Sequence, residues 1–170
     1  MLGFLVNDGQ GGLDALLANA AACLAREGLR IAGALQQNHE VAPDRPCRMM
    51  LAVLGSDRVV AISQDLGRDA KGCRLDPQGL AEAVALVEAG MARAAPDLLI
   101  VNKFGKSEAE GRGFRDLIGK ALADGIPVLT TVSAIQKAAF LDFAGDMATE
   151  VSAELQAITA WYSAFRGVWA

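Results

Sequence analysis

The sequence predicts an α/β fold: a mostly parallel sheet between helical layers, with an inserted antiparallel β-hairpin. Three observations predict it. The apolar runs "MLGFLV", "LLIV" and "GIPVLTTV" suit strands buried on both faces, and the first two run directly into polar loops. Between such runs, apolar residues recur at helical spacing, so strand and helix alternate. In the middle, "CRMMLAVL" and "RVVAIS" are β-rich runs joined by Gly55-Ser56-Asp57, a hairpin signal that breaks the alternation.

Each element has its own reason. "MLGFLV" is the first strand and stops at the turn cluster "NDGQGG". Leu13, Leu16, Leu17, Ala20, Cys23 and Leu24 then form one face of a helix, and Gly28 ends it. "LRIAGALQQ" is the second strand, trailing into the polar "QQNHE" with His39. After the hairpin comes the long polar stretch "QDLGRDAKGCRLDP". Asp76 is an N-cap with Pro77 at the first helical position, and Leu80, Val84, Val87 and Met91 form the apolar face. "LLIV" follows as a strand, then a helix with Phe114, Leu117, Ile118, Ala121 and Leu122 inward. "GIPVLTTV", a short segment from Ile135 to Phe143, and a helix over 151–165 complete the order. No repeat or linker interrupts it, so residues 1–170 read as a single domain.

Composition narrows the function classes. At 52% hydrophobic and 21% charged, the chain is globular rather than disordered. A net charge of −4 argues against a general nucleic-acid surface and makes any anion site a local one. Cys23, Cys47 and Cys73 are few, odd in number and widely spaced, which fits neither a disulfide framework nor a metal site, and His39 is the sole histidine. Cys23 reads as a small core residue. No apolar run reaches membrane-span length, and the N-terminus lacks the basic flank of a signal peptide. The expected location is the cytoplasm, without membrane or nucleic-acid partners. Trp161, Tyr162, Phe165 and Trp169 cluster near the C-terminus, as packing on the sheet or as the face of a homodimer.

In such sheets ligands bind beyond the carboxyl ends of the parallel strands. Three loops qualify: 7–12, 102–113 and 133–136. The first holds Asn7, Asp8, Gly9, Gln10, Gly11 and Gly12. Small residues before a helix let backbone N–H groups approach an anion, as in GxxxxGK[ST]. Here Leu13 and Asp14 replace the lysine and the hydroxyl, and Asp8 would repel phosphate, so a plain glycine turn is the competing reading. In the second loop, Asn102-Lys103 falls where an acidic residue would organise Mg²⁺. An amide is a poorer ligand for a hard cation, so Glu108 or Glu110 would have to supply the carboxylate. Alternatively Lys103, Lys106 and Arg112 present cations to an anion held by the first loop. Lys103, Glu108 and Glu110 are the catalytic candidates. The competing reading makes Lys106, Glu108, Glu110 and Arg112 a solvated helix start. Arg68, Lys71 and Arg74 of the long polar stretch are further anion contacts, with Lys71 and Arg74 the stronger candidates.

The blocks "NHEVAPDRPCRMMLAVL", "ISQDLGRDAKGCRLDPQGLAEAV" and "PDLLIVNKFGKSEAEGRGFR", in that order, resemble an uncharacterised bacterial family. That family is related to the thermophile-type nucleoside-triphosphatases and often associated with molybdate-transport genes. The resemblance covers most of the chain. It implies a P-loop-NTPase-like three-layer sandwich, with 7–12 at the Walker A place and Asn102-Lys103 at Walker B. Both places depart from the catalytic pattern. The resemblance therefore implies a degenerate site for a nucleotide, phosphate or related oxyanion, with Mg²⁺ only if hydrolysis is retained. An active triphosphatase using non-standard residues and a non-enzymatic partner-binding or regulatory protein are the alternatives.

Overall fold

Apolar stretches and the glycine-rich turns between them place the strands where the hydropathy pattern puts them. The computed structural model describes residues 1–9, 11–40, 47–64 and 74–169. β1 (Leu2–Asn7) leads into α1 (Leu13–Arg26), which returns the chain to β2 (Ile31–His39). β3 (Arg48–Val53) and β4 (Val59–Ala61) form the hairpin. α2 (Pro77–Arg93) follows, started by Asp76, whose carboxylate accepts the Gln78 N–H at 3.0 Å. β5 (Leu98–Phe104), the one-turn α3 (Lys106–Ala109), α4 (Arg115–Ala123) and β6 (Val128–Ser133) come next. α5 (Lys137–Ala144), a 3₁₀ turn, β7 (Ala148–Glu150) and α6 (Leu155–Trp169) finish the chain.

The seven strands order β4-β3-β2-β5-β6-β1-β7. β2, β5, β6, β1 and β7 run parallel, whereas β3 is antiparallel to β2 and to β4. Both the predicted fold class and the antiparallel insertion hold. From β1 the chain crosses over β6 and β5 to reach β2, then returns through β5 and β6, so the strand order reverses beside β1. The carboxyl ends of β1, β5 and β6 are thus brought together.

Two apolar layers follow from strand alternation. Leu5, Leu35, Leu98, Ile100 and Leu129 pack with Leu17, Ala20 and Leu24 of α1 and Ile158, Trp161 and Tyr162 of α6. Leu2, Phe4, Leu99, Val101 and Val128 pack with Leu80, Ala83 and Val87 of α2, Ile118 of α4 and Phe140 of α5. Each fully buried leucine contributes roughly 1.5–3 kcal/mol.

Some elements differ from expectation. β7 was not legible: three residues, "ATE", carry no alternation, and only pairing of Leu2–Phe4 with Ala148–Glu150 makes them a strand. The last helix begins at Leu155, and Val151 before it is buried outside any helix. Cys23 is half-buried and free rather than part of the core. Trp161 and Tyr162 are spent inside, between α6 and the sheet, which weakens the reading of that cluster as a dimer or partner face. Gln10, Arg68, Lys71 and Cys73 lie outside the described residues. Among the described residues no helix is long and apolar enough to cross a membrane.

Candidate functional site

The loop after β1 is built by short-range chemistry. Asn7 Oδ1 accepts the Gly9 N–H at 2.9 Å, closing a turn. Gly9, Gly11 and Gly12 then take φ of 85°, 80° and 85°, a conformation that L side chains avoid. Gly12 caps α1 without any side-chain acceptor. The N–H groups of the first turn have no partner within the helix, and the helix dipole is positive there.

Asp14 lies in that first turn. Its carboxylate accepts a hydrogen bond from Asn102 Nδ2, at 3.0 Å, across a separation of 88 residues. Asn102 is only 6% exposed, at the carboxyl end of β5. The Thr131 hydroxyl of β6 donates to its backbone carbonyl at 2.6 Å. Because a carboxylate only accepts, the Asn102 amide must turn its NH₂ towards Asp14. Asn102 Oδ1 is then buried with no hydrogen-bond partner among the described residues. In this pair the acid stands on the helix and the amide on the strand.

This pairing makes a prediction. Asn102→Asp sets two carboxylates at hydrogen-bonding distance in a partly buried place and is expected to destabilise by about 1–3 kcal/mol at neutral pH. Repulsion raises the carboxylate pKa in the folded state, so the penalty is present above that pKa and fades as pH falls and the pair shares a proton. Urea unfolding at neutral and mildly acid pH measures it. Adding Asp14→Asn should recover most of the loss; equal losses with and without Asp14 would rule out the pairing as the cause.

The lysines belong to the other layer. Along β5, Leu98 and Ile100 pack on the α1 side and Leu99 and Val101 on the α2 side. Lys103 is exposed and lines a cavity of about 510 Å³ that also contacts Val101, Leu80 and Phe114. Arg74, Lys106, Asn102, Ser133 and Gln136 line it too. Asn7 pairs in register with Ser133, which lines this cavity, whereas no described residue of the glycine loop lines it. A larger cavity, about 670 Å³ between α1 and the hairpin, contains none of the sequence-predicted site residues.

Glu108 differs most from expectation. It is not part of a solvated helix start but is 4% exposed. Its Oε2 accepts the Gly105 N–H at 2.9 Å and its Oε1 the Phe114 N–H at 3.1 Å. Arg115 donates to its backbone carbonyl at 3.1 Å and lies over the Phe143 ring, 4.4 Å from the centroid. Glu108 therefore ties the two ends of the loop together, and both oxygens are engaged inward. Glu110 is exposed and pairs with Arg112 and, at 3.7 Å, with Lys106. Arg112 lines a neighbouring cavity beside α2 rather than the one at Lys103. Sequence reasoning missed the part played by Asp14. The available signal was an acid at the P-loop hydroxyl position together with an amide at the Walker B position.

A family model described as "Protein of unknown function (DUF2478)" matches residues 2–161. The chain is 41% identical over 153 residues to a protein of Bradyrhizobium diazoefficiens named molybdenum import ATP-binding protein ModC 2. That alignment takes in 90% of this chain and 17% of the relative's length. The solution structure of a human cancer-related nucleoside triphosphatase superposes with a TM-score of 0.69 at 12% identity, covering 96% of each chain. At that identity the likeness is one of fold.

Proposed function

The chain belongs to the DUF2478 family, and we propose that it is a single P-loop-NTPase-like domain that binds a nucleotide, phosphate or related oxyanion without hydrolysing it. The observation that carries this reading is the Asp14–Asn102 pair, a partly buried hydrogen bond standing where a P-loop enzyme holds its metal. The glycine loop supplies backbone donors and a positive helix end. Lys103, Lys106 and Arg74 supply charge from the adjoining cavity. Leu13 leaves the loop without its own cation.

Mg²⁺, which the related triphosphatases use, does not fit the residues present. A divalent cation of that kind takes carboxylate oxygens. Here Asp14 has one oxygen on Asn102, Glu108 is turned inward onto two backbone N–H groups, Glu110 is paired with Arg112, and among the described residues no three acids, histidines or cysteines cluster as a metal would need. The chain's own residues would bind and orient an anion, and no bond-breaking step is assigned to them. The Bradyrhizobium relative's name supports a link to molybdenum uptake, with molybdate among the oxyanions to test. We place this activity in the cytoplasm.

Isothermal titration with ATP, GTP, inorganic phosphate and molybdate tests the reading. Binding of at least one in the micromolar to millimolar range, without Mg²⁺, is the expected result. Silence with all four at millimolar concentration would sink it. Mg²⁺-dependent phosphate release that survives Asn102→Ala would instead favour an active triphosphatase.

A further inference from the structure

The cavity at Lys103 is more than a charged patch. Its volume, about 510 Å³, falls in the range of roughly 300–1,000 Å³ typical of small-molecule sites. Its floor is apolar: Leu51, Ile62, Leu80 and Phe114 are buried core residues, with Met49 and Leu75 half-buried beside them. Its rim is cationic. Lys103 has no ion-pair partner among the described residues. Lys106 has only the 3.7 Å contact with exposed Glu110. Arg74 spends one N–H on the Cys47 carbonyl, at 2.9 Å. The one acid among the described lining residues, Glu108, is committed to Gly105 and Phe114. The buried, unpartnered Oδ1 belongs to Asn102, which also lines the cavity.

We propose that this cavity takes an organic anion, with a flat apolar body on the Leu51–Leu80–Phe114 floor and its anionic group at Lys103, Lys106 and Arg74. A bare tetrahedral oxyanion would satisfy the rim but leave the apolar floor in contact with water, forgoing about 25 cal/mol for each Å² that an apolar body covers. A neutral apolar molecule would fill the floor but leave Lys103 and Arg74 on the rim without a carboxylate partner among the described residues. A ligand with both parts satisfies both. The inference deepens the anion-binding reading by naming the ligand's apolar part, and moves the main charge contact from the glycine loop to the opposite layer of the sheet.

The test uses 8-anilinonaphthalene-1-sulfonate, an aromatic monoanion, and its neutral counterpart N-phenyl-1-naphthylamine, titrated by fluorescence into the full chain. The sulfonate is expected to bind at one site about tenfold more tightly than the neutral compound. Lys103→Glu combined with Lys106→Glu should weaken the sulfonate about tenfold and leave the neutral probe unchanged. Arg26→Glu, a charge reversal on α1 away from the cavity, should change neither by more than about twofold. Equal affinity for both probes, or no loss in the double variant with an unchanged urea midpoint, would overturn the proposal. The two readings separate cleanly. ATP, phosphate or molybdate binding with no sulfonate binding overturns only this inference, and sulfonate binding with no response to those anions overturns only the broader one.

Discussion

Gly33→Ala is expected to leave the protein largely unfolded, with a loss of about 4 kcal/mol or more. Gly33 sits inside β2 and pairs in register with Ile100 of β5, at the centre of the sheet. Its φ is 129°, a region closed to L side chains, and a methyl group there would overlap the Ile100 backbone carbonyl oxygen. Neither strain can relax alone. Ile100 is fully buried, and the Gly33 carbonyl is held by the Leu54 N–H at 2.9 Å. Moving β2 away from β5 would separate the hairpin from the rest of the sheet. Chemical unfolding followed by circular dichroism measures the loss. A variant within about 1 kcal/mol of wild type would mean that β2 and β5 do not approach this closely.

Glu108→Ala is expected to cost about 2–5 kcal/mol, because it strands two backbone N–H groups that are otherwise satisfied, at roughly 1–3 kcal/mol each with some added loss of packing. The Gly105 and Phe114 N–H groups would lose their common acceptor. The consequence is local before it is global. The carboxylate joins the end of β5 to the start of α4, and Lys103 and Lys106 lie on the stretch it fastens. Hydrogen exchange should therefore speed up first over residues 105–114, and anion affinity should fall along with it. Glu108→Gln keeps one acceptor oxygen and should lose about half as much. A Glu108→Ala variant with native stability and native exchange in this stretch would show that the carboxylate is not the tie; lost affinity with native exchange would assign Glu108 to the ligand instead.

How much of this was legible depends on the range of the interaction. Strand and helix patterns were readable because burial on one or two faces imprints a period on the local sequence, as in "LLIV" or the leucines of α1. The hairpin was readable from three turn residues. The edge strand β7 was not, since it has no period of its own and exists by pairing with Leu2–Phe4. The candidate site was half legible. Glycines before a helix and lysines after a strand are local signals, and the structure puts both at the carboxyl edge of the sheet. Glu108 was misread because its three-residue reach to Gly105 and six-residue reach to Phe114 bury a side chain that composition assigns to solvent.

By itself, the sequence determined an α/β sheet with a hairpin, the loops at its carboxyl edge and the residue types those loops carry, Leu13 and Asp14 after the glycines and Asn102-Lys103 after the strand. Those are properties of residue type and spacing, and no contact changes them. Only the tertiary structure decided that Asp14 meets Asn102, that Lys103 faces the layer opposite α1, and that Glu108 looks inward. Each depends on which face of a strand points where and on which distant element covers it. The hydrogen bond across 88 residues forms because the crossover from β1 to β2 lays the start of α1 against the end of β5. No local pattern encodes that placement; the packing of the two apolar layers does.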